Sequence, residues 1–306
     1  MTNFDDTERR PQPRPVVQIA PGVRRLTAPN PGPFTATGTN TYLIGSGRVA
    51  VIDPGPAIPA HVDALLAALA GETVTHIILT HTHRDHSGAV RALSAATGTQ
   101  VLSGGPHRPA RPIAAGETNP LDDANDTGHV PDRTLADGDI VDGAGWRIVA
   151  IATPGHTANH LAFALEGQDL IASGDHVMGW ATTIVAPPDG AMGDYMASLD
   201  KLMMRLETRL LPGHGPPVED AHARIGELRR HRLMREAAIL DRLRAGDHAI
   251  PDMVAAIYRG LDPSLNGAAA LSVLAHLEDL MLRGRVTSDG PGGLDGRYAL
   301  SPLAIP

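Results

Sequence analysis

The sequence predicts an α+β fold built as a large unit followed by a small one, and three observations carry that prediction. From Val16 to about Gly215, short β-branched runs alternate with helical stretches. From Glu219 onward the pattern turns helical and closes on a Gly-rich hairpin. The 306 residues, 42% hydrophobic and 20% charged, provide enough apolar surface for both units.

Residues 1–15 carry Asp5, Asp6 and Glu8 where a signal peptide would be basic, and no apolar run follows. They are expected to form a disordered tail, and a cytoplasmic location follows. No stretch approaches ~18 uninterrupted apolar residues, so no membrane span is expected. Val16–Ile19, Thr41–Ile44 and Val49–Ile52 have strand character. Pro59 opens a helix to about Ala70, in the position where its missing N–H is harmless. Strand Thr75–Leu79 and a helix from about Ser87 to Ala96 come next, and further strands are expected at Val101-Leu102, Trp146–Ile151, Leu161–Leu165 and Asp169–Ala172. Gly104 to Asp132 is rich in Pro, Gly, Asn and Asp. Long loops in compact units are often functional, which places this one beside the active site. A helix from Asp194 to Leu211 is expected to stop at Pro212. These elements make a first unit of residues 16–218.

An Arg-rich connecting helix spans 219–245. Residues 246–306 then carry helices at about Pro251–Tyr258 and Gly267–Arg283, strand Arg285–Ser288, the turn Asp289–Gly293 and strand Gly296–Leu300. Helix, helix and Gly-rich hairpin outline a winged helix.

Net charge is −8, which argues against a general polyanion-binding surface. The distribution is uneven, because residues 222–244 hold seven arginines against Glu227, Glu236 and Asp241. That segment is either a solvated helix face laced with ion pairs or a basic stripe for phosphates. The absence of cysteine excludes disulfides and thiolate ligands.

Chemistry concentrates in Thr80-His81-Thr82-His83-Arg84-Asp85-His86-Ser87-Gly88. The run follows an apolar strand and opens a helix, so its ligands sit at a strand's carboxyl end. Imidazole nitrogens with a hard carboxylate suit zinc. Alternation points His81 and His83 the same way, while Asp85 and His86 reach a second position across the turn. Three further elements each follow an apolar strand within a glycine turn: Thr153-Pro154-Gly155-His156-Thr157, Ser173-Gly174-Asp175-His176 and Leu211-Pro212-Gly213-His214-Gly215. Glycine allows the backbone angles that turn a side chain back over a metal. His61, His107, His129, His222, His231, His248 and His276 read as surface or packing residues. Arg84 and Tyr195 read as structural.

Together and in this order, these segments resemble the metallo-β-lactamase superfamily over roughly Val16 to Gly215. The resemblance implies an αββα sandwich. It assigns His81, His83 and His156 to one metal, Asp85, His86 and His214 to another, and Asp175 as a bridge. Asp53 would support the ligand loop from behind. Two Zn2+ are implied, with iron or manganese as alternatives, and a metal-bridging hydroxide would serve as nucleophile. Asp85, His160 and His176 are the residues expected to assist catalysis. The bridging aspartate makes the site similar to those of glyoxalase II, quorum-sensing lactonases and tRNase Z. The stretch Ser173–Gly179, the helix Asp194–Leu199, Leu211–Pro216, the Arg-containing helix and the winged-helix tail resemble the β-lactamase-like protein 2 group, which implies endoribonuclease activity on single-stranded RNA.

The alternatives are a thioester, ester or lactone hydrolase, a mononuclear iron persulfide dioxygenase and a DNA-binding regulator. Sequence-specific DNA binding is disfavoured, because the would-be recognition helix carries Glu278 and Asp279 against Arg283. The tail is expected to act in packing or as the contact of a homodimer.

Overall fold

The computed structural model describes residues 14–290 and 292–302. Of the expected N-terminal tail, all but Arg14 and Pro15 lies outside the described residues.

Two sheets form the centre. The first holds β1 (Val17–Ala20), β2 (Val23–Thr27), β3 (Asn40–Ser46), β4 (Arg48–Ile52), β5 (Thr73–Ile78), β6 (Val101–Ser103) and β7 (Arg133–Thr134), paired in that order. The second runs β12 (Arg209–Pro212), β11 (Leu170–Gly174), β10 (Leu161–Leu165), β9 (Trp146–Ala152), β8 (Ile140–Gly143). Alternation within the strands produces the layers, because successive side chains point to opposite faces. Ile44, Ala50, Ile52 and Ile78 meet Ile148, Ala150, Phe163 and Leu165 between the sheets. Leu43, Val49, Val51 and Ile77 face outward onto Leu65 and Leu69 of α1 (Pro59–Ala68) and its extension, and Leu93 of α3 (Val90–Thr97). On the other side, Ala162, Ala164 and Ile171 cover Tyr195, Leu199 and Leu202 of α4 (Met192–Met203) and Ile225 and Leu228 of α5 (Ala221–Arg244). Both faces of both sheets are therefore apolar, which is what an αββα sandwich needs.

Two local expectations are corrected, and three strands had not been expected. The helix expected to reach Leu211 stops at Met203, and Arg209–Pro212 is strand β12. Leu210 and Leu211 pair in parallel with Ile171 and Ala172 and bury one face on each layer, so tertiary burial overrides helix propensity there. The helix expected from Ser87 is two pieces, α2 (Arg84–Ser87) and α3. Strands β2, β7 and β8 carry too few β-branched residues in a row to stand out in the sequence.

The last part of α5 contributes Ile239, Leu240 and Leu243 to a separate core with α6 (Ile250–Ile257), α7 (Asn266–Leu282), β13 (Val286–Ser288) and β14 (Tyr298–Leu300). The 24-residue α5, about 36 Å long, thus belongs to both cores. Helix α7 also packs on the sandwich: Ala275 joins the α4–α5 cluster, and Glu278 pairs with Arg111 at 2.6 Å. It is a packed helix rather than a free recognition helix. No described helix is long and apolar enough to cross a membrane.

Candidate metal centre

Five loops leave the carboxyl ends of β4, β5, β9, β11 and β12 at one rim of the sandwich, and each brings candidate ligands or their support. Glycine makes this convergence possible. Gly174 has φ +50°, and a Cβ at Gly213 would collide with Asp175 Oδ1 and lie 2.6 Å from His86 Cε1. The rim is closed across the two sheets by Asn40, whose backbone N–H donates to Gly213 O at 2.7 Å and whose side-chain amide donates to Pro212 O at 3.0 Å and Gly215 O at 2.9 Å.

Two groups result, buried except for the half-buried Asp85, each with its donor atoms within 4.8 Å of one another: His81, His83, His156 and Asp175, and Asp85, His86 and His214. Asp175 lies between them. Its Oδ1 is 3.5 Å from His86 Nε2, and its Oδ2 is 3.2 Å from His214 Nε2 and 3.7 Å from His156 Nε2. Asp85 Oδ2 sits 3.3 Å from His214 Nε2 and accepts from Thr39 Oγ1 at 2.9 Å. The structure thus brings together all seven residues that the sequence nominates as ligands.

The nitrogens facing away from the centre are anchored, which sets the tautomers. His86 Nδ1 donates to Asp53 Oδ2 at 2.9 Å, and His156 Nδ1 donates to Ile184 O at 2.7 Å. Thr80 Oγ1 donates to Asp53 Oδ2 at 2.7 Å and so accepts from His81 Nδ1 at 3.0 Å. Asp53 holds a left-handed φ of +52° while its carboxylate also receives the Thr80 N–H at 2.8 Å. It therefore braces two ligand-bearing segments at once. With Nδ1 committed, His81 and His156 each present a bare Nε2, and both lie 3.0 Å from His83 Nδ1. One shared N–H can satisfy only one of these acceptors. A cation among the three would satisfy all of them, so the donor set fits a metal.

The electrostatics agree. Burial pushes His81 and His156 below the usual histidine range and takes His83 down to about 3, so these rings are neutral lone-pair donors. Burial also opposes charge on His86, but Asp85, Asp175 and Asp53 outweigh it and raise its pKa. His214 is raised in the same way by Asp175 and Asp85. Burial would raise Asp175, yet His214 and His86 hold it well below the ordinary carboxylate value. A bound cation would replace the protons held by this second group.

Above the centre lies a cavity of about 270 Å3 lined by Pro33, Phe34, Leu121, Met178, Trp180 and Ile184, with His83, Asp85, His156, Asp175 and His214 beneath. The 104–132 loop contributes Leu121 and Ala124, as its length suggests. It is tied down through Asp189, which accepts from Asn119 at 2.8 Å and Asn125 at 2.6 Å.

Of the residues expected to assist catalysis, His160 and His176 do not line the cavity. His160 is consumed within the fold: Nδ1 donates to Thr153 Oγ1 at 2.8 Å and Nε2 accepts from the Asp175 N–H at 3.2 Å. His176 is fully buried behind the ligand wall, its ring 4.5 Å from that of Tyr195. Asp85, the third expected catalytic residue, does face the cavity. Thr39, Asn40, Ile184 and Trp180 escaped the sequence reading, since nothing local marks them and their partners lie far away in the chain.

The profile described as "Metallo-beta-lactamase superfamily" matches residues 34–214. The chain belongs to that superfamily. Residues 249–293 match the "Beta-lactamase associated winged helix domain", so a winged helix follows the metallo-β-lactamase fold. Among curated relatives, a "Beta-lactamase-like protein 2 homolog" of Caenorhabditis elegans is 33% identical over 230 residues, covering 74% of this chain and 72% of the relative. An "Atrochrysone carboxyl ACP thioesterase" of Aspergillus chevalieri is 34% identical over 236 residues, covering 76% and 69%. Among solved structures, the metallo-beta-lactamase family protein TTHA1429 of Thermus thermophilus superposes with a TM-score of 0.73 at 27% identity, over 92% of this chain and all of that one. The superfamily match and the thioesterase relatives make this chain a hydrolase, with a His/Asp cluster suited to metal.

Proposed function

We propose that the protein is a binuclear zinc hydrolase of uncharged acyl substrates, a thioester, ester or lactone, in preference to RNA. One observation carries the choice: among the described residues, no arginine or lysine lines the cavity over the centre, whose walls are apolar. An RNA substrate would place several phosphates beyond the scissile one, and these need cations. Six of the seven arginines of α5 are held by other groups, and Arg230 does not line the cavity. Arg229 pairs with Asp200 at 2.7 Å, Arg242 with Asp247 at 2.5 Å and Arg244 with Asp241 at 2.5 Å. Arg224 donates to Met178 O and Ala181 O, and Arg235 lies over the Tyr258 ring. Arg232 is buried.

In this reading His81, His83 and His156 would hold one ion and Asp85, His86 and His214 the other, with Asp175 shared. When bound, the pair would polarise the acyl carbonyl and lower the pKa of water towards ~7. The chain's own part is positional. Thr39 holds Asp85, Asp53 and Ile184 aim His86 and His156, and the apolar walls seat the acyl group and exclude water. The thioesterase name of the fungal relatives is consistent with an acyl thioester bond as the target.

The test is a panel of thioester, lactone, neutral ester and single-stranded oligonucleotide substrates with zinc-loaded protein. Turnover of the acyl substrates is expected at least ~100-fold above that of the oligonucleotide. The reverse order would overturn the choice.

A further inference from the structure

A second cavity of about 740 Å3 lies between the 111–120 loop, α7 and the 292–295 turn. Three chain segments wall both this cleft and the cavity over the metal centre. Leu271 lines both, Pro120 lines the cleft where Leu121 lines the cavity, and Pro187 lines the cleft where Ile184 lines the cavity. The floor is apolar, formed by Leu271, Leu274, Met281 and the 88% exposed Leu282. The lining cation, Arg111, is forked between Glu117 (2.6 and 2.8 Å) and Glu278 (2.6 and 3.0 Å). With Asp295 also present, the lining carries more negative than positive charge and repels anions.

Resting on the acyl-hydrolase reading above, we propose that this cleft is the distal subsite of the same active site and takes the uncharged apolar chain or ring system of a long acyl substrate. The scissile carbonyl sits at the His/Asp cluster, and the remainder runs past Leu271 between the catalytic unit and the winged helix. Size supports this. The inner cavity alone falls just below the usual range of about 300–1,000 Å3 for a small-molecule site, and the two together reach its upper end. The winged helix is then a specificity wall, which accounts for α7 packing against the catalytic unit rather than standing free.

The experiment uses the full zinc-loaded chain and neutral p-nitrophenyl esters from acetate to dodecanoate. It compares the wild type with Ala115→Trp, which narrows the cleft, and Leu282→Asp, which adds a charge to it. Both positions are exposed, so the fold is expected to survive, as circular dichroism would check. Each buried methylene contributes up to about fourfold. The dodecanoate-to-acetate ratio of kcat/KM should exceed ~10 in the wild type and fall at least ~5-fold in each variant, chiefly through KM. Saturable binding of a neutral fluorescent dodecyl amide, which requires no turnover, should weaken in parallel. A flat chain-length profile with acetate still cleaved, or ratios unchanged in both variants, overturns the subsite and leaves the acyl-hydrolase reading standing. If no ester is cleaved, that reading falls, and amide binding indifferent to both substitutions overturns the cleft as well.

Discussion

The histidine loop and the arginine helix are the two densest runs of functional-looking side chains in this protein, and the fold treats them in opposite ways. His81, His83, Asp85 and His86 sit in a turn, where the chain reverses and side chains can converge. Loops from three other strands bring His156, Asp175 and His214 to the same place. The arginines lie on a 24-residue helix, whose residues radiate around an axis, so six of the seven find separate neighbours rather than a common one. Even the buried Arg232 is absorbed. It donates to Thr183 O, reaches Ser272 Oγ at 3.3 Å and lies 5.1 Å from the Tyr195 ring centroid. Density of one residue type marks a site only where backbone geometry makes the side chains meet.

The contrast can be broken first at Asp53, where the largest effect is expected. Asp53→Ala removes the acceptor of both His86 Nδ1 and the Thr80 hydroxyl. Metal affinity and turnover should each fall about 10-fold to 100-fold, the scale for groups that orient ligands. Metal analysis after dialysis against a weak chelator, alongside kcat, would show it. Undiminished zinc content would mean that the ligand loop holds itself.

Arg232 comes next, as the arginine that touches the site indirectly. Thr183 Oγ1 bonds to the carbonyl of His176, beside Asp175, and Ile184 O orients His156. Arg232→Met should therefore cost about 1–3 kcal/mol of stability by leaving Thr183 O without its donor. It should also lower kcat more than KM.

A smaller effect is expected at His276, buried on α7, whose pKa burial and Arg232 bring down to about 3. A histidine depressed in the folded state binds its proton more readily when unfolded, so stability is lost as pH falls from about 6.5 towards 3. The slope is at most about 1.4 kcal/mol per pH unit for one group. Thermal unfolding of His276→Leu should be measurably less acid-sensitive between pH 6 and 4 than that of the wild type. Equal slopes would show that the ring is solvated or paired in solution.

The smallest effect belongs to the exposed arginines. Arg229→Ala combined with Arg230→Ala should shift stability by no more than about 0.5 kcal/mol, as for surface pairs in general. Turnover should stay at wild-type level. A large loss confined to oligonucleotide cleavage would restore the phosphate-binding role.

The sequence alone determined most of the strands and the ligand candidates, because both depend on short-range order, while the layering came from the family resemblance. A continuous apolar run such as Val49–Ile52 or Leu161–Leu165 needs only a few residues to declare a strand buried on both faces. A histidine-rich turn after an apolar strand declares its chemistry just as locally. Tertiary structure decided what depends on partners distant in the chain. Leu210 and Leu211 became strand because Ile171 and Ala172 were there to pair with. His160 was withdrawn from the cavity by Thr153 and the Asp175 amide. Arg229 and Arg232 of α5 were engaged by Asp200 and the Thr183 carbonyl, both distant in the chain. Local pattern sets which atoms a segment offers, and only the packed chain sets which of those atoms remain free to face a substrate.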